Sequence, residues 1–341
     1  MYDTFFHLTG IPFQLTPDSR FFFGSAGHSR AISHLVYGLA QEEGFIVITG
    51  EVGAGKTTLV EHLWNQLDRR SYAIGRVVTT LVSGDDLLRL AVTSFGVNDD
   101  GADKATLLRR FEQVVREQRA AGRRSLLVVD EAQNLSVTAL EELRMLSNIT
   151  IDGRASLQTI LLGQPQFRPL LARPELEQLR QRVLASYHLG PLSERETRLY
   201  IEHRLRMVGW AEDPHWTDGA FVRVFRAAAG IPRRVNTLCG RVLLYAALEE
   251  AHTVTEEMVA ATAAELEQDL GAGAPEASPL AAAVSPEVEP IARRLSAIED
   301  RITRQDRLFR RLLDLLDGGA DGAEERPRVA AGTAPHVGST K

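Results

Sequence analysis

The chain has 341 residues, 44% apolar and 25% charged, enough for about two domains with buried cores and ordinary for a water-soluble globular protein. A formal net charge of -6 speaks against indiscriminate coating of DNA. The lone cysteine, Cys239, rules out an intrachain disulfide or a thiolate zinc cluster and fits a reducing cytoplasm.

The opening segment carries Phe5, Phe6, Phe13, Phe21, Phe22 and Phe23, whose default reading is that they seal a core. Pro12 and Pro17 break it up, and it has neither the basic start nor the continuous apolar centre of a signal peptide. No later run approaches the roughly 20 apolar residues of a membrane span, so a cytoplasmic protein is expected.

Five apolar runs then alternate with amphipathic helical stretches: 45–49 (FIVIT), 76–82 (RVVTTLV), 126–129 (LLVV), 157–162 (LQTILL) and 183–189 (VLASYHL). That alternation predicts an α/β fold, a parallel sheet covered by helices on both faces, over residues 1–192. From Ser193 the strands cease. Ser193 with Glu196 three residues on is a capping box, and the helical patterns that follow predict a small all-helical domain over 193–270. On one of its helices Cys239 lies with Val242 and Leu243 and reads as a small buried hydrophobe.

Residues 271–290, rich in Gly, Ala, Pro and Ser, read as a linker. Ile291, Leu295, Ile298, Ile302, Gln305, Phe309, Leu312 and Leu316 then recur at alternating steps of four and three, which predicts an amphipathic coiled-coil helix over 291–317. Such a helix can zip protomers together, bind a partner helix or fold back on its own chain. Asp300, Asp306, Asp314 and Asp317 weaken a reading as a membrane-surface helix. Residues 318–341 have the composition of a disordered tail.

Two stretches carry chemistry. Gly50-Glu51-Val52-Gly53-Ala54-Gly55-Lys56-Thr57, followed by Thr58, matches the G-x-x-x-x-G-K-[ST] phosphate loop at every fixed position, between a predicted strand and a predicted helix. Glycines let backbone amides close around an anion, and the helix start adds its partial positive charge. Lys56 is expected to neutralise the β and γ phosphates of ATP, and the Thr57 hydroxyl to hold Mg2+.

The second stretch, SLLVVDEAQNL (residues 125–135), is an apolar run ending in two carboxylates at the C-terminal edge of a strand, where ligands of such sheets bind. Asp130 would complete the magnesium shell and Glu131 would align the attacking water; the alternative for the pair is a solvated strand end. The nine histidines show no paired metal spacing, and no nucleophile with its own base stands out, so the free energy of hydrolysis is expected to drive a change of shape.

DEAQNL running into TALEELRML resembles the bacterial general secretion pathway A-type ATPases of the AAA+ superfamily. The opening IPFQLTPDSRFFFGSAGHSRAISHLVYGLAQEEGFIVITGEVGAGKTTL is similar to members associated with exosortase and exopolysaccharide loci. LLGQPQF, LEQLRQRVLASYHLGPLS and GIPRRVNTLCGRVLLYA continue the likeness, which spans residues 1 to about 268. The resemblance implies a nucleotide-binding domain followed by a helical lid, and a homo-oligomer that is ring-like when ATP-bound.

It also implies residue roles. Gln164 would sense the γ-phosphate, Arg233 would be the lid arginine that reaches the nucleotide, and Arg182 the finger supplied to a neighbour, with Arg180 as the competing choice. Chain before the first strand would pack around the adenine, with Pro17, Asp18 and His28 in the matching motif.

Family members with a membrane span and a peptidoglycan-binding module after the ATPase exist. This sequence carries neither, which directs the expectation to the exosortase-associated branch. The expected partners are envelope, secretion or polysaccharide-assembly proteins, met at the cytoplasmic side of the inner membrane. The competing expectation is a nucleic-acid remodeller, because transposition helpers and origin-recognition ATPases share the GQP-like sensor region and the GxPR lid. The acidic balance and the lack of a DNA-reading domain after the lid weigh against it.

Overall fold

The computed structural model describes residues 2–16, 18–68, 70–78 and 84–271, and all of these fall in one compact unit, Met1–Gly273. The expected linker, coiled-coil helix and tail, beyond residue 271, lie outside the described residues.

Five parallel strands form the central sheet: β1 (Phe45–Gly50), β2 (Tyr72–Val78), β3 (Arg124–Asp130), β4 (Leu157–Gly163) and β5 (Val183–Leu189), in the order β2-β3-β4-β1-β5. Position in the sheet follows from composition. The central strands β1 and β4 are buried along their whole length and read as continuous apolar runs, whereas the edge strands β2 and β5 alternate buried with exposed residues. The second strand begins at Tyr72 rather than near Arg76, because Tyr72 already pairs with Arg124 on β3. Its expected end, residues 79–82, lies outside the described residues.

Helices cover both faces. On one side, Phe45, Val47, Leu127, Val129 and Leu161 pack against α3 (Gly84–Thr93), α4 (Lys104–Ala120) and α5 (Val137–Leu146). On the other, Ile46, Ile48, Leu126, Val128 and Leu162 pack against α1 (Ala26–Ala40) and α2 (Lys56–Gln66). Successive residues of one strand feeding two separate cores is the period-2 alternation of extended chain.

The lid consists of α6 (Glu194–Arg206), α7 (Asp218–Ala228), α8 (Pro232–Leu248) and α9 (Glu256–Gly271). The capping box at the start of α6 is formed: Glu196 N donates to Ser193 Oγ, and Ser193 N donates to Glu196 Oε2 at 3.0 Å. The other oxygen of Glu196 accepts from Ala26 N at 2.9 Å, so the same carboxylate ties the lid to the start of α1.

Phe6, Leu8 and Phe13, from the start of the chain, lie inside the lid's apolar cluster with Leu205, Trp216 and Leu243. Thr9 N donates to Val208 O at 2.9 Å beside them. The opening segment therefore runs along the lid before α1 delivers the chain to the sheet. Cys239 is fully buried in the same cluster, and burial pushes its thiol pKa up, so it packs as a small hydrophobe. Among the described residues no helix is long and apolar enough to cross a membrane.

Candidate nucleotide site

Strand β1 ends at Gly50, and the chain turns through Gly53 (φ 81°) and Gly55 (φ 97°) before α2 starts at Lys56. Both angles lie in the left-handed region that only glycine adopts freely. A Cβ at Gly50 would stand 2.6 Å from Leu189 O of the neighbouring strand, so the loop also sits too close to β5 for a side chain there.

Inside this loop Lys56 is 7% exposed and donates from Nζ to Gly50 O at 2.8 Å and Glu51 O at 3.1 Å. Burial lowers its pKa, against the opposing pull of the Glu131, Asp130 and Glu51 carboxylates. Thr57 Oγ1 donates to Asp130 Oδ2 at 2.8 Å, which places the hydroxyl of α2 beside the carboxylate that ends β3. Two adjacent hard oxygens at the C-terminal edge of a sheet are the donor set that magnesium takes, so the residues present fit that ion.

Glu131 has φ 52°, a left-handed conformation uncommon outside glycine, and it turns the chain sharply at the strand end. Its Oε2 accepts from Gln133 Nε2 at 2.6 Å and Gln164 Nε2 at 3.0 Å. Gln133 Oε1 in turn accepts from Gln164 N at 2.8 Å, which closes a triangle between the ends of β3 and β4. Burial raises the Glu131 pKa, but the two amide hydrogen bonds and the charges of Lys56 and Arg233 outweigh it and hold the carboxyl below its ordinary value. A carboxylate so held polarises a water more readily than it keeps a proton.

A single cleft gathers Gly53, Gly55, Lys56, Thr57, Thr58, Asp130, Glu131 and Arg233, with Val52 at its rim. Glu51 and Ala54 complete the loop; Ala54 N donates to Glu51 O at 3.1 Å and tightens the turn. Arg233, in the first turn of α8, reaches the loop through its backbone as well, its N donating to Gly53 O at 3.1 Å. Arg234, its neighbour, is exposed and does not line the cleft. Gln164 meets the site through Glu131 rather than by lining the cleft itself.

Arg182 stands apart. It directly precedes β5, at the edge of the sheet where Phe45 pairs with Val183, whereas the loop lies at the other end, where Gly50 pairs with Leu189. The six-residue run from Val183 to His188 separates the two ends by about 20 Å at ordinary strand rise. Arg182 Nη1 donates to Ser147 Oγ at 2.9 Å, and Arg180 donates to Ala172 O at 3.2 Å. Neither arginine enters this chain's own cleft.

Sequence reasoning did not single out four residues that the fold brings to the site. Gln133 carries its signal in position alone, two residues past Glu131 in the same turn. Tyr200 and Arg204, on α6, line the cleft with Asn236 of α8, and nothing local marks them. The phenylalanines divide. Phe6 and Phe13 seal the lid core as expected, but Phe21, Phe22 and Phe23 line the cleft. His28, which the resemblance named in the segment around the base, lines the cleft beside Phe22, and it also braces the phosphate loop by a hydrogen bond with the Ala54 backbone and pairs with Ser25 Oγ at 2.7 Å. Burial lowers its pKa and keeps it neutral there.

Residues 39–171 match the family model described as AAA domain. Over 270 residues, 78% of the chain, it is 36% identical to general secretion pathway protein A of Aeromonas hydrophila and covers 48% of that protein, so it spans about half the length of the curated relative it matches. Among solved structures, Cdc6p from Pyrobaculum aerophilum is similar with a TM-score of 0.58 at 15% identity, over 80% of this chain and 74% of that one. The Aeropyrum pernix ORC2 protein, in ADPNP-ADP complexes, gives 0.55 at 18% identity over 70% and 66%. At such identities the two structures establish the fold alone.

Proposed function

We propose, from the premise that this chain is an AAA+ ATPase related to general secretion pathway protein A, that it uses ATP to drive conformational change in an envelope export, secretion or exopolysaccharide-assembly system. The observation that carries the reading is convergence. Lys56 and Thr57 from one motif, Asp130 and Glu131 from a second more than seventy residues on, and Arg233 from the lid face one cleft.

In this reading the amides of 50–57 and the Lys56 ammonium hold the β and γ phosphates, while Thr57 and Asp130 would hold Mg2+, which supplies charge neutralisation between the phosphates. Glu131 orients and polarises the attacking water, with Gln164 beside it. Arg233 follows the γ-phosphate and moves the lid with it. Arg182, far from its own cleft, is the finger for a neighbour's, with Arg180 two residues away as its competitor. The working form is then a homo-oligomer, ring-like when ATP-bound, meeting envelope partners on the cytoplasmic side of the inner membrane.

Calorimetric titration of the full chain with Mg-ATP tests the site. Removing Lys56 takes away the buried ammonium of the loop and leaves the charges of Asp130 and Glu131 less offset, so Lys56→Ala is expected to weaken ATP uptake on the order of 100-fold, the scale of a lost charge-assisted pair. Unchanged uptake in that variant would exclude the reading. Turnover per chain that stays flat as protein concentration rises would exclude the finger in trans. Hydrolysis stimulated by DNA with a steep salt dependence would redirect the pathway toward nucleic-acid remodelling.

A further inference from the structure

Arg204, on α6, is 6% exposed and lines the nucleotide cleft from the lid side. Its Nε donates to Pro12 O at 2.5 Å, Nη1 to the Tyr200 hydroxyl at 2.8 Å and Nη2 to Gln14 O at 3.4 Å. The guanidinium carbon stands 4.6 Å from the centroid of the Phe21 ring. Tyr200 passes the contact on, donating to Asn236 Oδ1 on α8 at 2.8 Å.

All of these partners are neutral, and among the described residues no carboxylate forms an ion pair with Arg204. A guanidinium withdrawn from water and met only by neutral acceptors gives up solvation without a Coulombic return. What it gains is geometry. One planar fork holds two carbonyls of the opening segment and a tyrosine of the lid, with an aromatic ring against it.

Three of these partners, Gln14, Phe21 and Tyr200, also line the cleft, as does Asn236 behind Tyr200. Lys56 and the loop amides take the phosphate end of a nucleotide, so the nucleoside must extend into the rest of the cleft, between residues 14–21 and the lid. We propose that Arg204 is a positioning residue for the nucleoside: it fixes a strap formed by residues 12–16 and 18–21 against α6 and α8, so that base binding depends on the strap and lid being held together. This inference rests on the nucleotide reading of the cleft and deepens it.

Mg-ATP and inorganic tripolyphosphate, which lacks a base, are titrated into the full chain, Arg204→Met, Arg204→Lys and Phe21→Leu. Losing the fork should weaken ATP about tenfold, the scale of one well-made hydrogen bond to a charged group, and leave tripolyphosphate within about twofold. The lysine, which keeps the charge but cannot bridge three acceptors, should fall between. Phe21→Leu leaves the buried charge in place and should weaken ATP about threefold with tripolyphosphate unmoved. Equal losses for both ligands in all three variants, or no loss for ATP, would overturn the role, since loosening of the whole cleft does not discriminate by base. If wild type takes up neither ligand, or takes up both regardless of Lys56, the nucleotide reading itself fails, and the positioning role with it.

Discussion

The two halves of the cleft are built differently. The phosphate half comes from two short contiguous stretches, 50–58 and 130–131, whose side chains meet because β1 and β3, with β4 between them, end at the same edge of one parallel sheet. The nucleoside half draws on residues 14–16 and 21–23, on Tyr200 and Arg204 of α6 and on Asn236 of α8, brought together by the lid cluster and by Arg204, whose contact to Pro12 spans 192 positions of sequence. On the proposed reading, chemistry common to every nucleoside triphosphate is held by local backbone geometry, and recognition of what the phosphates are attached to is held by tertiary packing.

The largest effect expected from this division is on turnover. Glu131→Gln keeps shape and hydrogen bonding but removes the charge that polarises water, so ATP hydrolysis should fall on the order of a thousandfold, while calorimetry still records ATP uptake within a fewfold of wild type. A variant that loses binding and turnover together would mean that the acidic turn belongs to the binding surface and not to the chemistry.

Gln133 sharpens the same point at smaller amplitude. It donates to Glu131 and accepts from Gln164, so Gln133→Ala releases the carboxylate from one of its two amides and leaves the other less firmly placed. Turnover should fall about tenfold, the scale of one hydrogen bond in a working geometry. The pH profile supplies the sign. The ionised form works, and in the wild type the carboxyl is held below its ordinary value, so activity is flat through neutrality and lost only in acid. Without Gln133 the pKa rises toward the ordinary range, and the acid limb of kcat must move to higher pH. An unmoved limb would show that Gln133 only packs.

How much was legible in the sequence follows from the same contrast. The inner strands β1, β3 and β4 could be found because buried parallel strands need unbroken apolar runs, and the start of α6 because a capping box is complete within four residues. That the loop from Gly50 to Thr57 and Asp130 would gather at one cleft was legible for the same local reason. The start of β2 was placed late because Gly75 and Arg76 interrupt the apolar run that Tyr72, Ala73 and Ile74 begin. Arg204 reads locally as one more arginine on an amphipathic helix, and only the packing of Phe6 and Phe13 into the lid brings Pro12 and Gln14 against it. Phe21 and Phe13 are alike in sequence; which of them faces a cleft is decided by residues nearly two hundred positions away.

The smallest expected effect lies at the seam between the halves. At Gly53 the backbone has φ 81°, a Cβ there would collide with the Cβ of Arg233, and Gly53 O accepts from Arg233 N at 3.1 Å. Alanine would therefore carry a left-handed strain of about 1 kcal/mol and also push the first turn of α8 off the loop. Gly55 is the control: its Cβ would face only His28 Nε2 at 3.0 Å, the far end of a side chain on α1, so Gly55→Ala strains the loop without touching the lid. Gly53→Ala should then weaken ATP about threefold beyond Gly55→Ala and tripolyphosphate by less than that, because tripolyphosphate loses only what Arg233 offers its terminal phosphate, whereas ATP also loses the lid's seat for the nucleoside. Equal behaviour of the two alanines toward both ligands would mean that the lid's seat on Gly53 does not govern base binding, and the contrast between the halves would shrink to one of sequence distance.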